Sequence, residues 1–372
     1  MTQHPYTELR PPRRILLGPG PSMTDPRVLR AMAFPSIGHL DPYLLKLYEQ
    51  EQELLRIIFQ TKNDWTFVLS GTGTAGMEAA LANLLEPGDA VLVASNGYFG
   101  ERLADIAARL GALVDQIARP WGQIFSVEEI ESALKKKNYK IFAIVHAETS
   151  TGAEQLHMAE IVSMAHQYGA LVVLDTVTSL GGMEVKVDEW DVDLAYSASQ
   201  KCLGAPSGLA PITVGPRARE AIEKRTSPVS SFYLDIKLYA SYWNGNHSYH
   251  HTAPSALHLA FREALRLAVE EGLEKRFARH RENAKILWDG LTTLGLPPFI
   301  PMVYRLPVLT TPELPEGLDE VMIRKRLLDE FNIEIAGGFG TLKGKVWRIG
   351  LMGYSSQREN VSLLLEKLKT IL

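Results

Sequence analysis

The stretch Leu171-Val-Val-Leu-Asp175-Thr-Val-Thr-Ser179, followed one loop later by Ser197-Ala-Ser-Gln-Lys201-Cys-Leu-Gly204, decides how this chain is read. An apolar run closing on an aspartate predicts a buried strand whose last residue lies at the carboxyl edge of a parallel sheet, where open α/β folds bind ligands. A lysine among small residues, with few other charges nearby, predicts an amine that a planar ring can approach. Burial would push such an amine toward its neutral form. Upstream, Ser70-Gly-Thr-Gly-Thr74 opens a helix. The three segments together match the needs of a pyridoxal phosphate site. The lysine amine forms a Schiff base with the aldehyde, the carboxylate pairs with the protonated pyridine nitrogen, and the glycine loop receives the phosphate.

Outward from this core, short apolar runs at 65–69, 90–94, 141–146 and 171–174 alternate with helical patterns at 75–86 and 100–111. Unbroken apolar strands separated by helices predict a parallel sheet covered on both faces. After Pro254 a charge-rich pattern from 257 to 291 predicts one long connecting helix, with Glu271 paired to Lys275 across a turn. Strand-like segments at 309–311, 333–335 and 346–350, with helices near 318–330 and 356–372, predict a smaller α+β unit. The expected organisation is an arm at 1–20, a large domain at 21–260 and a small domain at 261–372.

Composition bounds the function. The 372 residues carry 46% hydrophobic and 22% charged side chains, an ordinary globular balance with length for two domains. A net charge of −4 gives no reason to expect nucleic acid or an anionic membrane as partner. The single cysteine, Cys202, excludes an internal disulfide and argues against a cysteine-built metal site. No apolar run reaches the ~18 residues of a spanning helix. Residues 1–14 do not resemble a signal peptide, and Lys369-Thr-Ile-Leu372 is not a peroxisomal address, so the cytoplasm is the expected location.

Each chemical reading has a plainer rival. Asp175 could cap a following helix. Gly71-Thr-Gly-Thr-Ala-Gly76 also fits the dinucleotide pattern G-x-G-x-x-G, but that reading leaves Asp175 and Lys201 without a task. Asn96-Gly-Tyr-Phe-Gly100 follows a strand and offers a ring for stacking, unless that ring is simply core. His146-Ala-Glu-Thr-Ser-Thr-Gly152 offers polar groups to a cofactor edge, or is a plain loop. In Tyr249-His-His-Thr252 the adjacent histidines lack the spacing of helical zinc ligands, so a polar loop and no metal are expected. Trp347-Arg-Ile-Gly350 sets an arginine in an apolar strand, where it needs either an internal ion pair or an anionic ligand such as a substrate carboxylate. No second arginine stands in a motif placed for a side-chain carboxylate.

Taken together, the chain resembles the class V aminotransferases of pyridoxal-phosphate fold type I, and within them the alanine–glyoxylate / serine–pyruvate aminotransferases. The resemblance runs through Leu17-Gly-Pro-Gly-Pro-Ser22, Gly38-His-Leu-Asp-Pro42, Ser70-Gly-Thr-Gly, Ser95-Asn-Gly, Glu148-Thr-Ser-Thr-Gly, Ser197-Ala-Ser-Gln-Lys, Tyr249-His-His-Thr, Trp347-Arg-Ile-Gly, Gly353-Tyr354 and Arg358-Glu-Asn360. It implies an α/β fold with a mostly parallel seven-stranded sheet flanked by helices, plus the small domain. It implies Lys201 as the Schiff-base lysine and Asp175 as partner of the pyridine nitrogen. Phe99 should stack on one ring face and Val177 pack beneath the other, with Ser150 by the ring hydroxyl. Thr72, Gly73, Thr74 and Gln200 should surround the phosphate, and Tyr249 and Thr252 should reach it from the second subunit of a homodimer. Arg348, Ser150 and His39 are the implied substrate contacts, for a small amino acid and a 2-oxo acid. Phe99 stands where some members have tryptophan, and Thr74 where some have histidine.

A neighbouring branch, the (S)-ureidoglycine–glyoxylate aminotransferases, is similar over much of the chain but tends to carry amides where this sequence has His39 and Tyr249. Two further alternatives are a pyridoxal-phosphate lyase and a non-catalytic protein that keeps the fold. A cysteine desulfurase needs a nucleophilic cysteine on a mobile loop, whereas Cys202 adjoins the lysine. An intact Lys201 and Arg348 argue against a non-catalytic role.

Overall fold

A computed structural model describes residues 8–244 and 247–372; the first seven residues of the expected arm lie outside it. The centre is a seven-stranded sheet in the order Trp65–Ser70, Leu209–Val214, Leu194–Tyr196, Leu171–Asp175, Ile141–Val145, Ala90–Ser95, Leu113–Ala118. Only Leu209–Val214 runs against the rest, so the sheet is mostly parallel, as expected. Of the expected apolar runs, Ala90–Ser95, Ile141–Val145 and Leu171–Asp175 are inner strands and Trp65–Ser70 forms one edge; Ile141–Val145 is buried at every position because helices cover both faces. Leu113–Ala118 is the other edge strand. Its partly exposed, polar-interrupted sequence lacks the continuous apolar signal of the others.

Parallel strands bring their carboxyl ends to one side, and the first turns of Gly73–Leu84 and Tyr98–Arg109 open there. Asp175, Ser95, Val145 and Ser70 all end their strands on this edge. The fold therefore collects, at one rim, residues separated by more than a hundred positions in sequence.

The predicted single helix over 257–291 is two helices, Ser255–Glu271 and Leu273–Thr293. Gly272 separates them at φ +83°, a left-handed conformation that cannot continue a right-handed helix and that glycine adopts without Cβ strain. The apolar pattern runs through the break, which hides it from a periodicity argument. The break also redirects Glu271. Its carboxylate accepts from Arg276 Nη1 at 2.7 Å and Arg279 Nε at 2.6 Å, not from Lys275.

Buried side chains form two principal cores. Phe261, Leu265 and Ala268 of the helix before Gly272 pack into the core under the large sheet. Leu287 and Leu291 of the helix after it join Trp347, Ile349, Leu364 and Leu368 in the second. The second core includes Leu17, because the short strand Ile15–Leu16 pairs in parallel with Ile333–Glu334. The segment at Ile15, Leu16 and Leu17 thus folds onto the C-terminal unit, and a three-stranded sheet containing Leu309–Thr310, Trp347–Gly350 and Ala336–Gly337 completes it.

Candidate active site

One cavity of about 150 Å³ lies at the carboxyl edge of the large sheet, lined by Thr72, Gly73, Thr74, Met77, Phe99, Arg102, Asp175, Val177, Gln200 and Lys201. Eight of these ten were expected from sequence. Asp175 is buried, and both its oxygens are held. Val177 N donates to Oδ1 at 2.8 Å and Tyr196 Oη donates to Oδ2 at 2.7 Å. Register explains the second bond, since Asp175 and Tyr196 are paired across adjacent parallel strands. Burial pushes the Asp175 carboxyl up to about 6, partly opposed by those two donors. No cation forms an ion pair with it among the described residues.

Lys201 follows Gln200 on a tight loop whose carbonyls are tied down. Ser22 N donates to Gln200 O at 2.8 Å, Ser22 Oγ to Lys201 O at 2.9 Å, and Arg276 Nη2 to Cys202 O at 2.6 Å. Lys201 Nζ donates to the carbonyl of Pro19. Burial pulls the ammonium down to about 8, and the charge of Arg348 acts in the same direction.

The residues present fit a phosphorylated pyridine. Thr72 caps the helix Gly73–Leu84 without using its hydroxyl, and the helix's first amides have no intrahelical acceptor, which makes the turn an anion site. The buried amide oxygen position of Gln200 has no hydrogen-bond partner, and the two ends of that amide exchange by a flip that would present its NH₂ to a phosphate. Phe99 and Val177 supply apolar walls.

The other expected residues stand outside the cavity lining. Ser150 Oγ donates to Glu148 Oε1 at 2.6 Å and accepts from Tyr98 N at 3.0 Å, so its hydroxyl is engaged within the protein. Arg348 makes no ion pair among the described residues, which removes the internal-pair reading. Its Nε donates to Gly337 O at 2.9 Å and its guanidinium lies 4.1 Å from the Phe339 ring centroid. Burial pulls the guanidinium down to about 10. Tyr249 is 62% exposed, its hydroxyl 3.5 Å from Thr252 Oγ1 and its ring 5.3 Å from that of His39.

Three residues escaped the sequence reading. Tyr196 and Arg102 are named above. Glu148 is the third: its buried carboxylate accepts from Ser150 N at 2.9 Å, Phe99 N at 3.1 Å and Gly100 N at 3.4 Å, anchoring the helix turn that carries Phe99. A side chain at Gly97 would strike Glu148 and sit 2.6 Å from Ser150 Oγ, so this close approach requires glycine. The signal for Arg102 was its position three residues after Phe99, on the same helix face.

Residues 15–363 match the family described as Aminotransferase class-V. The chain belongs to the class V aminotransferases. It is 42% identical to an (S)-ureidoglycine–glyoxylate transaminase of Bacillus subtilis, over 98% of this chain and 92% of that protein. It is 40% identical to an alanine–glyoxylate aminotransferase of Drosophila melanogaster, over 95% and 91%. A crystal structure of an alanine–glyoxylate aminotransferase from Nostoc superposes with a TM-score of 0.96 at 48% identity, covering 100% of this chain and 97% of that one. The cofactor of this aminotransferase is pyridoxal phosphate.

The lowered Lys201 ammonium has a testable consequence. A base whose proton is lost near pH 8, not near 10.5, is half neutral at pH 8 and fully reactive above it. Capture of pyridoxal phosphate by the apoprotein, trapped with borohydride and located by mass spectrometry, should reach half its maximal rate near pH 8. A rate still climbing toward pH 10 would show an unperturbed lysine.

Proposed function

We propose that this aminotransferase moves the amino group of alanine or serine to glyoxylate or pyruvate, in two half-reactions at one site. The observation that carries the reading is the presence around one cavity of a lysine whose ammonium burial pulls down to about 8 and a buried carboxylate that makes no ion pair among the described residues. Bound pyridoxal phosphate supplies an aldehyde and an electron-accepting ring. Lys201 is the amine that holds the cofactor and, once displaced, takes up and returns the proton at the substrate Cα. Asp175 favours a protonated ring nitrogen, and the hydroxyl of Tyr196 keeps its carboxylate aimed. Phe99 and Val177 face the two sides of the ring. Thr72, Gly73, Thr74 and Gln200 hold the phosphate.

Arg348 holds the substrate carboxylate by a two-point fork. Phe339 beneath its guanidinium fixes the plane of that fork. One such arginine suits a monocarboxylic donor. The rings of His39 and Tyr249, in place of amides, favour alanine or serine over ureidoglycine. Identity to the Bacillus protein keeps ureidoglycine as the second reading. A lyase that passes sulfur through a cysteine is disfavoured, because Cys202 is fully buried and burial pushes its thiol up to about 12.

We infer a homodimer. Tyr249, 62% exposed, packs beside His39, and Phe232, 71% exposed, stacks with Tyr233 against the ring of His250. Exposed rings of this kind suit an interface, and Tyr249 and Thr252 then serve the other subunit's phosphate. In this reading the two cores are the large and small domains, residues 8–20 are the described part of the expected arm, and Phe261, Leu265 and Ala268 carry the large core past the expected boundary at 260. The expected cytoplasmic location, checked by fractionation, belongs to the same reading. No helix among the described residues is long and apolar enough to cross a membrane.

Three outcomes follow. The Asp175→Asn protein should bind the cofactor yet lose more than about tenfold in kcat, a loss above ~1.4 kcal/mol in the barrier; a smaller effect would assign the ring charge to another group. With glyoxylate as acceptor, kcat/KM should be higher for alanine and serine than for aspartate, glutamate or ureidoglycine, and a preference for glutamate would defeat the small-donor reading. Mixing a Lys201→Ala subunit with a Tyr249→Phe, Thr252→Ala subunit should restore activity in mixed dimers through one intact site. Mixed dimers without activity would place Tyr249 and Thr252 in their own subunit's site.

A further inference from the structure

Arg102 is the cation at the cavity that the reading above leaves without a task. It projects from Tyr98–Arg109 one turn after Phe99, and its guanidinium carbon lies 5.0 Å from the Phe99 ring centroid and 4.9 Å from that of Tyr98. Nη1 donates to Thr74 Oγ1 at 3.2 Å. That hydroxyl belongs to the first turn of Gly73–Leu84, so the guanidinium stands at the glycine-loop end of the cavity. Arg348 occupies a different place, beside Gly337 and Phe339. Among the described residues Arg102 makes no ion pair.

We propose that Arg102 is a ligand of the cofactor phosphate and supplies its fixed positive charge. The proposal rests on the cofactor assignment above. A phosphate monoester carries up to two negative charges at neutral pH. The groups otherwise assigned to it are neutral hydroxyls, the Gln200 amide and a helix N-terminus worth roughly half a charge. The amine of Lys201 is committed to the aldehyde. A dianion held by those groups alone would be undercompensated in a partly enclosed site. A guanidinium with no ion pair among the described residues, already bonded to Thr74, corrects this, because its remaining N–H groups offer the geometry that phosphate oxygens accept. Stacking against Phe99 and Tyr98 orients it without consuming those donors. Bonding to Thr74 also separates this role from that of a receptor for a substrate side-chain carboxylate.

The apoprotein is titrated with pyridoxal phosphate and, separately, with pyridoxal, following quenching of tryptophan fluorescence, with inorganic phosphate as a competing probe. The Arg102→Gln protein should bind pyridoxal phosphate about tenfold or more weakly, the loss expected when a charge-assisted bond is removed, and bind pyridoxal as the unaltered protein does. Inorganic phosphate should compete against the unaltered protein and lose that effect in Arg102→Gln. Arg102→Lys, which keeps the charge and loses the fork, should fall between the two and guards against a folding defect in the glutamine variant. Equal weakening of both aldehydes would mean that Arg102 acts through the Phe99 ring, and would overturn the proposal. Unchanged affinity for both would do the same, as would intact cofactor binding with a raised KM for dicarboxylic donors. If the unaltered protein bound the two aldehydes equally, the phosphate site itself would be wrong, a result distinct from failure of Arg102 alone.

Discussion

A buried carboxylate that makes no ion pair among the described residues is the constraint on which the rest of this structure turns. Removing a charged group from water costs several kcal/mol unless hydrogen bonds or an opposite charge compensate. At Asp175 two donors offset part of that cost, and the carboxyl remains raised to about 6. Both donors depend on the sheet. Val177 follows directly on the strand end, and Tyr196 is delivered by parallel register. A one-residue slip of Leu194–Tyr196 would turn the tyrosine to the other face. The sheet thus keeps in place a carboxylate whose burial is only partly offset.

The lysine loop is held by a second device, which spans both cores. Arg276 is buried and donates to the carbonyls of Gly181 and Cys202, while Arg279 donates to that of Gly353. Two guanidiniums so close repel each other, and Glu271 between them answers both. Glu271 reaches that position because the helix stops at Gly272. From the N-terminal side, Ser22 holds the carbonyls of Gln200 and Lys201. The backbone around Lys201 is therefore fixed by residues distant in sequence, leaving the side chain free to change partners.

What the sequence revealed follows from how each signal arises. Asp175, Lys201 and the turn at Thr72–Thr74 were legible because strand ends and helix starts announce themselves locally, through apolar runs and glycines. Phe99 was legible for the same reason. Tyr196 was not, because its partner is set by strand pairing, a long-range event. Glu148 reads as a loop residue until the fold brings the turn at Gly97 against it, and the same contact withdraws the hydroxyl of Ser150 from the cavity lining. Gly272 sits inside a pattern that reads as one helix; only its backbone angle shows that the helix ends there. Arg102 lay hidden on a helix whose charged residues resemble a solvated face.

The burial of Cys202 has a practical consequence. Thiol reagents attack a thiolate that they can reach, and here the sulfur is enclosed, donating to the carbonyl of Thr178 at 3.2 Å. Labelling in native buffer must wait for the loop to open, so its rate measures the free energy of that opening. The chain has one cysteine, so the signal is single, and it comes from the residue beside the lysine. The protein carries its own clock for the breathing of its active-site loop, with no engineered label.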